Sequence, residues 1–546
     1  MSPRVPALRH LRQKASHAAY NTAFYNWTLG SDIPHDLIVK PVDPWPGDTA
    51  RGRILCGGVF SLEGQQRQIC QRLWDTQHLS NAWLQHLHGF EWLRDLRALG
   101  GDQGRQQARD LIADWMNRYS GWDAEVWSAD ITGQRLTNWI MLYGFFCASA
   151  DEEFQDRYFH ALLRQARHLA RALPGSLYGL PLLQGIRGLI LAGICIPGHE
   201  SWLMQGLDLL EVETEKQILS DGGHISRSPA MLLEVLRAYV DIRMALRAGD
   251  YPVPEQIEHT IDRMAQAMRF FRQADKKLTT FHGTPELESA YADAILTQAN
   301  ARGKVLRNLP HSDYERVTLG RSVMTMDVGV PPAYPYDGTA HASPLAFEFI
   351  YGKERIFVSC GTHTIDDQWA QALRATSAHN TITLDDRNSC EIRADGHMGR
   401  RPRTVSSTRE EGLYATLIDA VHDGYVPVNG VTHRRRIYLG SEGHDLRGEE
   451  NLTCTVGINK PLDVAMRFHL HPKVQVSLIR EGEEALLRLP GGSGWRFYLT
   501  GGSLSLENSV YIGDGCTVRK TKQLVVHATM EADTLQFKWA LQREGA

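Results

Sequence analysis

The sequence predicts a multidomain α-then-β chain, a helical half followed by an antiparallel β-sandwich. Three observations carry this: 546 residues exceed what one core usually holds; the apolar period before about residue 310 is helical; after about residue 315 it changes to two. The clearest helix runs over 229–248. There Leu232, Val235, Leu236, Tyr239, Ile242 and Leu246 form one stripe, Ser228 suits the N-cap, Pro229 the first helical position, and Gly249 ends the run. Similar stripes predict helices over 138–147, 158–173, 182–194 and 257–271. Antiparallel helices on short loops pack as hairpins in a ring or solenoid, and the lack of a fixed sequence period argues against a linear repeat array. Strands are predicted over 322–328, 345–350, 355–358, 380–384, 474–479, 495–499 and 535–541, between Gly-, Asp- and Asn-rich turns. Many short strands without intervening helices make antiparallel sheets packed as a sandwich. The stretch between Asn308 and Tyr314 breaks both patterns and divides the chain into domains 1–312 and 313–546.

Composition narrows the class. With 42% hydrophobic and 22% charged residues the chain is neither disordered nor fibrous. A net charge of −4 gives no electrostatic reason to expect nucleic acid or a membrane surface as partner; the basic triplet Arg434-Arg435-Arg436 reads as a solvated face. The first 50 residues lack the signal-peptide pattern, and the longest apolar runs, such as 189–197, fall far short of the roughly 20 residues of a spanning helix. The eight cysteines are dispersed without a CxxC pair and read as free thiols in a reducing compartment. A cytoplasmic protein is expected, of undetermined oligomeric state.

Four groups of residues could carry chemistry. Ser220 to Pro229 places His224 and Arg227 in a polar loop feeding a helix; a helix-capping loop is the plain alternative. Tyr334 to Ser343 carries Tyr336 and His341 just before a strand, and Ala378 to Thr381 carries His379 before another. Two histidines at strand starts could converge on a metal or a sugar, although two ligands do not make a site. Trp83, Trp92, Trp115, Trp122, Trp127 and Trp139 could stack on sugar rings, while each singly suits a core. No GxGxxG opens a helix after a strand, and GxxxxGK[ST], HExxH and GxSxG are absent, so nucleotide and serine-hydrolase chemistry lack support.

These segments, His86-Leu-His-Gly-Phe-Glu-Trp92, Arg135-Leu-Thr-Asn-Trp139, Asp221-Gly-Gly-His-Ile-Ser-Arg227, His341-Ala-Ser-Pro-Leu-Ala-Phe347, Val358-Ser-Cys-Gly361 and Ala378-His-Asn-Thr381, together resemble the heparinase II/III-like family. The resemblance implies an incomplete (α/α) toroid before the β-sandwich. It also implies a polysaccharide lyase cleaving uronic-acid polymers or oligosaccharides by β-elimination, with no required cofactor. A donor must neutralise the uronate carboxylate before the C5 proton is acidic enough to remove. His224 falls at the neutraliser's place, Arg227 could help hold a carboxylate, and Tyr336 or Tyr334 would stand in for the toroid tyrosine. His341 matches the sheet histidine, and Trp92, Arg135, Asn138, Trp139 and His379 fall at substrate-binding places. His341 and His379 would serve a possible structural zinc. The sequence departs from the family pattern with Thr339 and Ser343 in the His-x-His-x-Asp motif and Ser359 where an acid is expected. Two alternatives stay open: a glycoside hydrolase using two of Asp221, Glu234 and Asp337, and a non-catalytic saccharide-binding or assembly protein.

Overall fold

The computed structural model describes residues 16–30, 33–62, 64–70, 72–77, 79–287 and 289–545. Its elements change character where the apolar period does. The described helices up to Ser289–Gln298 are followed by antiparallel strands from Asn308 onward. The departures from that division are small: the hairpin Val59–Leu62 with Gln65–Gln68, the helices Asp367–Ala372 and Val426–Asn429, and short 3₁₀ turns such as Thr376–Ala378.

Two compact units emerge, and they interleave along the chain. One comprises 1–217, 234–262 and 290–300; the other comprises 218–233, 263–289 and 301–546. The loop carrying His224 and the segment carrying His282 thus belong to the unit that holds the sheets.

Helix Pro229–Ala248, which belongs to the helical unit from Glu234 onward, matches its sequence stripe, with Leu232, Val235, Leu236, Tyr239, Ile242 and Leu246 buried. The stripe predicted from Asn138 belongs to a longer helix, Ala129–Met141, followed by the short turn Tyr143–Phe146. That helix packs closely on Gly179–Cys195. A Cβ at Gly188 would stand 2.4 Å from the Gly133 carbonyl oxygen, so two glycines set the contact. Nearby lies an aromatic core: Trp115 and Trp139 meet edge to face at 5.5 Å, and Phe90 touches Trp74, Trp92, Trp115 and Trp139.

The sheet-bearing unit contains an eight-stranded, a five-stranded and a four-stranded sheet. The eight-stranded sheet has Thr534–Arg543 inserted between Gly494–Thr500 and Asp445–Cys454. The five-stranded one runs Asn308–Leu309, Tyr314–Leu319, Ser322–Asp327, Phe347–Tyr351 and Glu354–Phe357. One apolar cluster draws on all three sheets and centres on Phe347, Phe468, Trp495, Phe497 and Trp539; Phe347 stacks on Trp539 at 5.6 Å.

The basic triplet corrects the reading of a uniformly solvated face. Strand alternation along Val431–Gly440 turns Arg434 and Arg436 outward and Arg435 inward. Arg435 is fully buried, pairs with Glu450 at 2.8 Å and donates to the carbonyls of Leu345 and Asn380. Glu450 also binds His433 and Trp539, so the charge is enclosed with its partners.

Candidate functional site

Asp221 and the glycines after it build the His224 loop. Asp221 accepts hydrogen bonds from the backbone N–H groups of Gly223, His311 and Ser312 and from the Ser312 hydroxyl. Gly222 has φ +86°, and a Cβ there would lie 2.1 Å from the Arg263 carbonyl oxygen; only glycine fits. The turn closes with Leu219 N–H on Gly223 O and Arg227 N–H on His224 O. His224 is 2% exposed. Its Nδ1 accepts the Ser226 N–H at 3.1 Å and lies 2.7 Å from the Ser226 hydroxyl. Nδ1 is therefore the acceptor nitrogen and Nε2 carries the proton. Burial pushes the His224 pKa down to about 3, so the ring is a neutral donor of fixed tautomer. Its partner is Tyr336, half-buried, whose ring meets the imidazole edge to face at 6.3 Å.

Arg227 holds a left-handed backbone conformation, φ +58°, and serves as a buried hub. It donates to the carbonyls of Ser312, Asp313 and Val330, stacks over Tyr314 at 4.7 Å and pairs with Asp327 at 2.5 Å. Asp327 further accepts from the Gly329 N–H, the Ser343 hydroxyl and His282 Nε2, the last at 3.1 Å. Burial alone would raise the Asp327 pKa; Arg227 and His282 outweigh it and hold the carboxyl well below the usual carboxylate range. With its guanidinium so engaged, Arg227 positions the loop and is not presented for a substrate carboxylate, which corrects the role expected of it.

His341 and His379 do meet. His341 Nε2 accepts the Gly283 N–H at 2.9 Å, which leaves Nδ1 to donate to His379 Nε2 at 3.1 Å. The His341 N–H donates to His282 Nδ1 at 3.0 Å, so His282 carries its proton on Nε2, facing Asp327. His341 is 1% exposed and burial drives its pKa well below the usual histidine value. With both ring nitrogens engaged it presents neither lone pair nor proton to a ligand.

A structural zinc does not fit these residues. The pair offers two donors, Ser343 is spent on Asp327, and among the described residues no group of three or more His, Cys, Asp or Glu could hold a metal ion. His379 and its neighbours knit loops together: Asn380 donates to the carbonyls of Phe347 and Val358, and Thr381 to that of Pro344.

The proposed substrate-binding residues of the helical unit lie in its core. Trp92, Arg135, Asn138 and Trp139 are all buried. Arg135 donates to the carbonyls of His88 and Val126, binds Gln165 and lies over Trp115, while Asn138 donates to Gly89 O. Arg135 and Asn138 hold the end of the helix Asn81–Gly89, and the four buried side chains offer no face for a sugar. Of the candidate hydrolase carboxylates, Asp221 is spent on its loop, Asp337 is buried against His397 and Met398, and Glu234 lies in the helical unit.

Beside the His224 loop a cavity of about 560 Å³ is lined by Leu219, Ile225, Arg227, His311, Pro331 and Arg401 among others. The sequence reading missed His282 and Asp327. Asp327 closes a strand whose pattern reads only as apolar, and His282 follows one apolar residue in a polar segment, so neither carries a local signal.

Residues 66–301 match the model of the heparinase II/III N-terminus, and 301–540 that of the heparinase II/III-like C-terminal domain. FtsZ-localized protein C of Caulobacter vibrioides is 31% identical over 539 residues, covering 93% of this chain and 91% of its own. A crystal structure of heparinase III superposes with TM-score 0.72 at 14% identity, covering 97% of this chain and 91% of that one. A heparan sulfate lyase HepC mutant from Pedobacter heparinus gives 0.65 at 15%, covering 98% and 88%. These two likenesses are of fold.

Proposed function

We propose, from the premise that the chain belongs to the heparinase II/III-like family, that it is a polysaccharide lyase acting on an acidic polysaccharide or oligosaccharide at the His224–Tyr336 pair. The observation that carries this reading is the contact between a neutral, tautomer-fixed imidazole donor and a half-buried phenol. His224 Nε2–H donates to the uronate carboxylate and stabilises the enolate-like charge that develops as C5–H breaks. Tyr336, acting as the phenolate, takes the C5 proton on Oη; the C4–O4 bond breaks, a C4=C5 double bond forms, and the phenol so formed returns the proton to the leaving O4. A single residue acting as base and then acid suits a site where His341 is enclosed. The neighbouring cavity is of a size usual for ligand sites, and Arg401 in its wall supplies positive charge to an acidic polymer.

A second reading has its own support. The 31% identical relative is named for localisation to FtsZ, and the enclosed His341 fits a scaffold that binds without turning over. On that reading the chain is a saccharide-binding or assembly protein. Under either reading we place it in the cytoplasm; among the described residues no helix is long and apolar enough to cross a membrane.

The deciding experiment screens uronic-acid polymers and oligosaccharides for unsaturated products by ultraviolet absorbance. On the substrate found, His224→Ala should lower kcat by about 10²–10³, and Tyr336→Phe should abolish turnover. Binding without product favours the second reading, and parental turnover in His224→Ala refutes the lyase assignment.

A further inference from the structure

The helical unit holds a cavity of about 440 Å³ that neither reading uses. Its charged wall comes from helix Glu152–Ala172. Arg157, His160 and Arg164 stand three and four positions apart there, so they share one face over two turns, about 10 Å of helix. Asn117, the penultimate residue of helix Gly101–Arg118, and Ser120 just beyond it add neutral polar groups. Ile33 and Trp127 add apolar and aromatic surface.

The arginines of this wall lack counter-charges. Elsewhere the buried Arg94, Arg187, Arg227 and Arg435 each meet a carboxylate at between 2.5 and 2.9 Å. Half-buried Arg157 and Arg164 form no ion pair among the described residues. Arg157 Nη2 donates to the Ala113 carbonyl and to Asn117 Oδ1, which leaves Nη1 and Nε without a protein acceptor. Arg164 Nη2 reaches only Asn26 Oδ1, at 3.4 Å, and its Nε has no partner. Burial lowers the Arg164 pKa with no carboxylate to offset it. Asp156 also lines the cavity, yet it is exposed and pairs with neither arginine. A guanidinium keeps its charge and carries five N–H donors in a fork that fits an oxyanion. Two such groups on one cavity wall, drawn partly out of water with their charge unmet, call for an anionic occupant.

We propose that Arg157, His160 and Arg164 form a second, non-catalytic binding site that takes an acidic oligosaccharide, its anionic groups in series along the helix. The arginines lie about 10 Å apart along the axis, a separation that suits anionic groups repeated along a chain better than one compact ion. Exposed His160, whose pKa burial and Arg164 lower, adds a neutral N–H at the rim. Asn117 and Ser120 match sugar hydroxyls, and Ile33 and Trp127 match the C–H faces of a sugar ring. The proposal rests on the substrate class of the lyase reading and not on its chemistry, since it shares no residue with the His224–Tyr336 pair.

The test is isothermal titration of the full chain carrying His224→Ala and Tyr336→Phe, which disables the site of the lyase reading and leaves this one. The probes are hexagalacturonate and a heparan sulfate hexasaccharide, beside maltohexaose and hexaglutamate. At least one acidic hexasaccharide should bind more tightly than both the neutral sugar and the acidic peptide, and added salt should weaken it. Adding Arg157→Gln and Arg164→Gln should weaken that binding about tenfold or more at unchanged Tm, because charge-assisted hydrogen bonds are lost. Arg164→Lys, which keeps the charge and loses the fork, should fall between the two. Turnover plays no part in the readout, so the proposal and the lyase reading fail separately. No binding of either acidic hexasaccharide, equal affinity without the two arginines, or tighter binding of hexaglutamate would overturn the proposal.

Discussion

Replacing Asp327 by Asn tests whether the Arg227–Asp327–His282 cluster organises the candidate site. The substitution keeps shape and removes one charge. Asp327 is 1% exposed and accepts from Arg227, Gly329, Ser343 and His282. In the variant one acceptor oxygen becomes an NH₂ group facing Arg227 or His282 Nε2–H, so donor meets donor and Arg227 stays buried without its counter-charge. Breaking a buried pair in this way costs about 3–5 kcal/mol, which for a unit of this size lowers Tm by roughly 6–15 °C. The pH dependence follows from the depressed folded pKa of Asp327. Its stabilisation is present above the unfolded value near 3.9 and is lost as pH falls below it. The parent should therefore lose stability between about pH 4 and 2 partly through this group, and the variant should lack that contribution. Thermal and urea unfolding at pH 7 and at pH 3.5 measure both effects. Arg227→Met/Asp327→Asn, which removes both charges, should be more stable than Asp327→Asn alone. An Asp327→Asn protein melting within about 2 °C of the parent would refute the argument.

Gly222→Ala forces a side chain into a left-handed backbone and onto the Arg263 carbonyl; unfolding should show a loss of about 2–5 kcal/mol, and a neutral result would mean the His224 loop is not held there. Trp139→Ala empties part of the aromatic core and should cost about 3–5 kcal/mol in urea titration, without a selective effect on saccharide affinity. Glu450→Gln leaves Arg435 and His433 enclosed and should destabilise by about 3–5 kcal/mol at pH 7. Burial pushes the thiols of Cys360 and Cys390 up to about 12; iodoacetamide at pH 8 followed by mass spectrometry should modify exposed Cys70 first and leave these two unmodified in the folded protein.

The sequence by itself determined the order of the architecture. A period of 3.6 and a period of two are properties of local backbone geometry, so each pattern announces its element wherever one face is apolar: the helix Pro229–Ala248 and strands such as Gly494–Thr500 needed no tertiary information. The loop motifs with His224, His341 and His379 also stood out, because Gly, Asp and His break periodicity. What those side chains do was decided only in three dimensions. Arg227 and His224 are three positions apart in one polar loop, yet one is consumed by Asp327, a hundred residues away, and the other stands against Tyr336. Trp92, Arg135, Asn138 and Trp139 read as a sugar platform in sequence and are a core in the fold, since an aromatic residue suits either. Arg157, His160 and Arg164 share a helix face by spacing alone, yet the rest of their cavity comes from Ile33, Asn117 and Trp127 in other segments. Hydrogen-bond partnership and burial depend on which surfaces the chain folds together, and residue spacing carries no record of that.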